Sequence, residues 1–214
     1  MPQLLHLDSS ADLSGSVSRS LTARFAAAWS ALSPAHVIVR RDLHADMLPH
    51  LPTNVLHWAP HLRTETETVP ADAEDLQNRL IAELQAADVV LIGAPMYNWS
   101  VPSTLKAWID YIHVPGTTTP FDTATQPFAG KPAVVVSSRG GQYGPGTPDE
   151  ADDHQVPGLQ RVLRVALGME VHLVIADLTL APRVAALAPL VAEGAERMAR
   201  AEATIDELVI QLGG

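Results

Sequence analysis

The sequence contains no cysteine. That one absence excludes disulfides, thiolate zinc sites, iron–sulfur clusters and a cysteine nucleophile, and leaves any redox chemistry to a bound cofactor. It also lacks a basic excess: 14 Lys and Arg stand against 24 Asp and Glu, a formal net charge of −10. A nucleic-acid partner needs a basic footprint and is disfavoured. A small anionic ligand is not disfavoured, because backbone N–H groups can hold one without a cation. No apolar run is long enough to span a bilayer, and the opening residues Met1 to Asp8 show no basic stretch leading into a long apolar one. The expectation is a cytoplasmic protein with no membrane partner.

Hydrophobic residues make up 47% and charged residues only 18%, which suits a folded chain with a two-sided core. A length of 214 residues fits one domain spanning 1–214, and no linker, internal repeat or low-complexity tract divides it. Short apolar runs predict strands at Leu4–Leu7, His36–Val39, Asp88–Gly93, Ala133–Val136 and Val171–Ile175. Helical spacing predicts helices ending at Leu32, over Asp72–Ala87, from Pro102 to Ile112, over Val156–Leu167 and from Pro189 to Leu212. Residues 44–70 show no clear period and read as a long irregular excursion. Strict alternation of strand and helix implies a parallel sheet with helices on both faces.

In open sheets of this kind, ligands bind beyond the carboxyl ends of the strands, near the reversal of strand order. That rule selects three loops. Ser9–Ser18 leads into a helix N-terminus, where hydroxyls and free N–H groups make an anion site to which Arg19 can add charge. A plain serine-rich helix cap reads equally well. It is neither a Walker A loop nor a dinucleotide fingerprint. Pro95-Met96-Tyr97-Asn98-Trp99-Ser100 puts an apolar and aromatic cluster at a strand end, as a planar ligand, a core plug or a dimer contact would require. Ser138-Arg139-Gly140-Gly141 lets the backbone approach a ligand closely, or simply turns the chain.

Together these segments resemble the FMN-dependent NADH-azoreductase/NADH:quinone oxidoreductase family. Ala94-Pro95-Met96-Tyr97-Asn98-Trp99 with Val101-Pro102-Ser103-Thr104-Leu105-Lys106 is the most specific match, followed by the strand running into Ser138–Gly141. Ser10 and Ser16-Val17-Ser18 match the family's spaced serines. The resemblance implies a flavodoxin-like three-layer α/β/α sandwich with a five-stranded parallel sheet in the order 2-1-3-4-5. It implies one FMN per subunit, its phosphate held by Ser10, Ser16, Val17 and Ser18. Pro95, Met96, Tyr97, Asn98 and Trp99 would lie along the isoalloxazine and ribityl groups, and Ser138, Arg139, Gly140 and Gly141 along the pyrimidine edge. It further implies two-electron ping-pong transfer from NADH or NADPH to a quinone or azo acceptor, in a homodimer with the active site at the subunit interface. Two departures mark a divergent branch: Gly116–Asp122 lacks the usual Gly-Pro-Xaa-Gly-Leu stretch, and Gln142–Gly146 stands where some members place a histidine.

No side chain is singled out as a catalytic acid or base; Tyr143 reads as a proton donor or as a packed loop tyrosine. An electron-carrier flavoprotein is the main alternative, since an acidic surface suits docking to a basic partner. Hydrolysis finds no G-x-S-x-G elbow around Ser138. Asp149, Glu150, Asp152, Asp153 and His154 have no metal-site spacing and read as a solvated approach to a helix, so no metal is expected.

Overall fold

Five strands and five helices are present in a computed structural model, which describes residues 1–214. The strands are β1 (Gln3–Asp8), β2 (Val37–Asp42), β3 (Val89–Pro95), β4 (Pro132–Ser138) and β5 (Glu170–Ala176). The helices are α1 (Val17–Leu32), α2 (Ala71–Ala86), α3 (Ser103–Ile112), α4 (Val156–Gln160) and α5 (Val191–Gly213). All pairings are parallel and the sheet order is β2-β1-β3-β4-β5, so the order reverses between β1 and β3. No helix is long and apolar enough to cross a membrane.

The strands read as continuous apolar runs because both faces of the sheet are covered. Leu5, Leu7, Val90, Ile92, Ala133 and Val135 point to the side of α2 and α3, where Leu80, Leu84, Leu105 and Trp108 complete the core. Leu4, Val89, Leu91, Val134 and Val136 point to the opposite side, against Phe25 and Trp29 of α1 and Ile205 and Leu208 of α5. On that second face β1 turns polar toward its carboxyl end, through buried His6 to Asp8. The register levels the carboxyl ends: Asp8 lies opposite Gly93 and Asp42, and Ser138 lies opposite Pro95 and Ala176.

Four segments differ from expectation. β2 runs to Asp42 although its apolar pattern stops at Val39, because each charged residue beyond finds a partner across the edge. Arg40 donates to His6 Nδ1 at 2.9 Å, Arg41 forks onto Glu83, and Asp42 receives Arg19. The 44–70 excursion is packed. Val55, Leu56 and Ala59 are buried, and Gln77 Nε2 donates to the carbonyls of Leu56 and Tyr111. The helix expected over Val156–Leu167 is α-helical only to Gln160. It continues through Arg161–Ala166 with wider i+5 bonding, such as Leu167 N–H to Val162 O at 2.9 Å. Pro189 sits within a tight turn, Ala185–Leu190, that precedes α5, rather than in the first turn of α5 itself.

Candidate functional site at the strand ends

The loop after β1 is built from short polar side chains that bond to their own backbone. Ser9 Oγ donates to Gly93 O at 2.6 Å and ties the loop to β3. Asp12 Oδ1 accepts from the N–H groups of Ser14 and Gly15. Ser16 caps α1, its Oγ accepting from Arg19 N, and it also stands 3.1 Å from Ser18 Oγ. The N–H groups of Val17 and Ser18, in the first turn of α1, find no acceptor in the chain. The serine cap thus leaves two N–H groups at this terminus free for an acceptor from outside the chain.

Arg19 does not add its charge to this site as expected. Its guanidinium donates twice to Ser10 O, at 2.7 and 3.2 Å, and forks onto Asp42 at 2.6 and 2.8 Å. That fork, ahead of all else, holds the Asp42 carboxyl at about 2, below its ordinary 3.8.

The loop after β3 is a two-residue hairpin. Tyr97 and Ser100 exchange backbone hydrogen bonds at 2.9 and 3.0 Å around Asn98 and Trp99, whose φ angles are 48° and 66°. Both central residues are left-handed, as in turns that usually carry Asn-Gly. Asparagine tolerates this conformation, whereas a tryptophan there is strained. The peptide N–H groups of Asn98 and Trp99 have no acceptor in the chain, and the indole is 53% exposed. Tyr97 joins this loop to the first: its hydroxyl accepts from Ala11 N at 3.0 Å and stands 3.2 Å from Ser10 Oγ.

The loop after β4 is held from behind by Arg139, whose side chain is buried between Asp177 and Asp153. It donates to Asp177 through Nε at 2.6 Å and Nη2 at 3.1 Å, and to Asp153 through Nη1 at 2.8 Å. Asp153 Oδ1 in turn accepts from Gln155 N and Val156 N and so caps α4. Asp153 therefore corrects the solvated reading of the 149–154 cluster: it is a buried counter-ion. Gly140 lies close under the Leu180 side chain: a Cβ there would stand 2.6 Å from Leu180 Cδ1 and would displace it. The N–H groups of Gly140 and Gly141 have no acceptor in the chain.

These loops converge on one cleft of about 330 Å³. Ser10, Ser16 and Val17 line it from the first loop, Pro95, Met96 and Tyr97 from the second, and Ser138 and Gly140 from the third. The Ser18 hydroxyl, the Asn98 and Trp99 side chains, the Arg139 guanidinium and Gly141 lie outside that lining. Tyr143 borders a neighbouring cavity of about 380 Å³ instead, with the Arg139 guanidinium 5.8 Å from its ring centre. Sequence reasoning missed Asp12 and Gly15, and also Thr179, Leu180 and Arg183 from the loop after β5. The strand-end rule applied to the fifth strand as well would have found that last loop.

A level strand-end cleft beside the β1/β3 reversal, with unpaired N–H groups of a helix terminus at one end, defines an α/β protein of flavodoxin-like architecture. The model of a flavodoxin-like fold family matches residues 2–209. An FMN-dependent NADH:quinone oxidoreductase of Kineococcus radiotolerans is 49% identical over 208 residues, covering 97% of this chain and 98% of that protein. One of the same name from Streptomyces coelicolor is 42% identical over 191 residues, covering 89% and 86%. An FMN-dependent NADH-azoreductase from Bacillus anthracis, solved in complex with FMN, superposes with a TM-score of 0.80 at 20% identity, covering 99% of this chain and 100% of that one. The chain belongs to the family of FMN-dependent NADH:quinone oxidoreductases of flavodoxin-like fold.

Two outcomes follow from the arginines. Arg139→Met leaves Asp153 without a cation and Asp177 with only its 3.3 Å contact to Arg197, and is expected to cost about 3 kcal/mol in urea unfolding. Arg139→Lys recovers only part of this, because an ammonium cannot fork across two carboxylates. For Asp42 the folded value is depressed, so its contribution is complete above the ordinary 3.8 and disappears as pH falls through about 2. The stability difference between wild type and Arg19→Gln should therefore be constant above about pH 5 and shrink steadily toward pH 2 in urea titrations. A difference that holds at pH 2 would contradict the role given to the pair.

Proposed function

We propose that this protein is an FMN-dependent NAD(P)H oxidoreductase that reduces quinones and azo compounds by two-electron ping-pong transfer. The whole chain, 1–214, acts as one FMN-binding domain in a cytoplasmic homodimer, with one FMN per subunit and the active site at the subunit interface. The observation that carries the reading is the convergence of the loops after β1, β3 and β4 on one cleft that offers unpaired backbone N–H groups together with small hydroxyls.

That donor set fits FMN. Unpaired N–H groups at Val17 and Ser18, with the hydroxyls of Ser10 and Ser16, suit a terminal phosphate at the start of α1. Pro95, Met96 and Tyr97 offer an apolar wall for a flat ring system, and Asn98 and Trp99 present unpaired N–H groups beside it. Ser138, Gly140 and Gly141 bring a glycine backbone to the pyrimidine edge, where N–H donors favour negative charge. Bound FMN would supply the two-electron redox chemistry, for which this chain has no group of its own. The protein's task is to bind, orient and shield it. Arg139 serves that task indirectly, by holding the third loop from behind. The exposed Trp99 offers a second subunit an apolar surface to cover. The electron-carrier alternative rests on the acidic charge alone.

The test is a visible absorption spectrum of the protein purified with FMN, before and after anaerobic NADH and NADPH. Flavin bands that bleach with either donor are expected, and the faster donor identifies the preference. Bound flavin reduced by neither would turn the reading to a carrier. No retained flavin and no affinity in titration would overturn both. For the assembly, light scattering behind a sizing column should give about twice the 22.9 kDa of the chain; a monomer at working concentration would remove the shared active site.

A further inference from the structure

The loop between β5 and α5 carries none of the three site segments read from the sequence, yet it closes one side of the cleft. It is laid against the Arg139–Gly141 loop by main-chain bonds: Leu178 N–H to Gly141 O, Thr179 N–H to Arg139 O and Leu180 N–H to Gly140 O. Leu178 reverses the chain at φ 61°, and Leu180 fills the space that a Cβ on Gly140 would need. The next turn is closed by Arg183 N–H to Leu180 O at 2.9 Å. A rigid support thus carries Arg183 to the cleft wall that Ser10, Asp12, Gly15, Ser16 and Val17 line from the other side.

Charge accounting separates this arginine from its neighbours. Arg19 is bound to Asp42, Arg139 to Asp177 and Asp153, and Arg197 to Glu193 and Asp177. Arg183 has no carboxylate within ion-pair distance and lies exposed at the rim. Asp12 is the nearest competitor. Its carboxyl is held below the ordinary value first by the N–H groups of Gly15 and Ser14, with Arg183 contributing from a distance. An uncommitted guanidinium facing a helix N-terminus across a narrow cleft is suited to a phosphate monoester, which is close to a dianion at neutral pH.

We propose that Arg183 is the cation that meets the terminal phosphate of the flavin and sets the preference for FMN over unphosphorylated riboflavin. The inference rests on the FMN reading above and adds a residue to it. It also explains how a chain with a net charge of −10 binds a dianion without a basic patch: around the cleft Arg183 is left free while Arg19, Arg139 and Arg197 are consumed by the scaffold.

The test is titration of the flavin-stripped protein with FMN and, separately, with riboflavin, followed by quenching of flavin fluorescence. Arg183→Gln should weaken FMN binding about ten- to a hundredfold, the usual range for one charged hydrogen bond, and leave riboflavin within about twofold. Arg183→Lys should restore part of the loss, and added salt should narrow the gap between wild type and Arg183→Gln. An unchanged ratio of FMN to riboflavin affinity would overturn the inference while the FMN reading stands. So would a parallel loss of both flavins, which would make Arg183 a support for the loop. Wild-type protein that binds neither flavin would overturn the FMN reading, and the inference with it.

Discussion

The guanidinium of Arg139, buried between two carboxylates, is the contact on which the site end of this molecule depends. It links the end of β4 to the end of β5 through Asp177, and both to the start of α4 through Asp153. Arg197 extends the same network to α5 through Asp177 and Glu193. Parallel strands end without hairpins, so nothing in the sheet itself aligns the loops that follow them. Here a planar fork does that alignment, and its five donors suit more than one carboxylate at once. A buried ion pair contributes little to net stability, because desolvation offsets the attraction. Its value lies in specifying one arrangement of three loops around a cleft, where a hydrophobic substitute would pack without fixing direction.

Arg19 does the matching work at the other end of the cleft. It joins β2 to the loop after β1 through Asp42 and the carbonyl of Ser10. Holding that carbonyl from outside anchors the start of the loop that leads to the unpaired N–H groups of the α1 terminus. The two arginines on either side are therefore structural, and the cleft between them is furnished by main-chain donors and small hydroxyls, with Arg183 at its rim. Main-chain donors are fixed by the fold and cost little reorganisation when a ligand arrives. An acidic protein can bind an anion on these terms.

Much of the architecture was legible. The apolar runs of β1, β3, β4 and β5 are continuous because helices cover both faces, and that is what a sequence can report. β2 was cut short because its outer half is charged, and the partners that make it a strand, His6, Glu83 and Arg19, are distant in sequence. The same limit hid Asp153: a carboxylate in a Gly-, Pro- and Asp-rich segment looks solvated until its buried partner is in view. Three site loops were found because the strand-end rule needs only element order. The fourth lies beyond the fifth strand, to which the rule was not carried, and Leu178 to Arg183 has no glycine pair, aromatic cluster or serine run to mark it. Its place in the cleft comes from main-chain contacts with Arg139, Gly140 and Gly141, which no local pattern encodes.

The hairpin at Asn98 and Trp99 shows how such a site is kept in shape. Glycine would adopt these angles freely, and holding a bulky residue there costs roughly 1–3 kcal/mol. The cost is met by neighbours. Tyr97 and Ser100 close the turn on each other, His154 N–H donates to Trp99 O at 3.0 Å, and Tyr97 is anchored to Ala11 and Ser10. The strain persists only because contacts from three separate segments over-determine it. A glycine here would relax the turn but would remove the apolar surface that tryptophan presents beside the cleft. Retaining tryptophan at φ 66° is consistent with that surface being the reason for the turn. Fold and site thus make opposite demands on one residue, and the surrounding hydrogen bonds reconcile them.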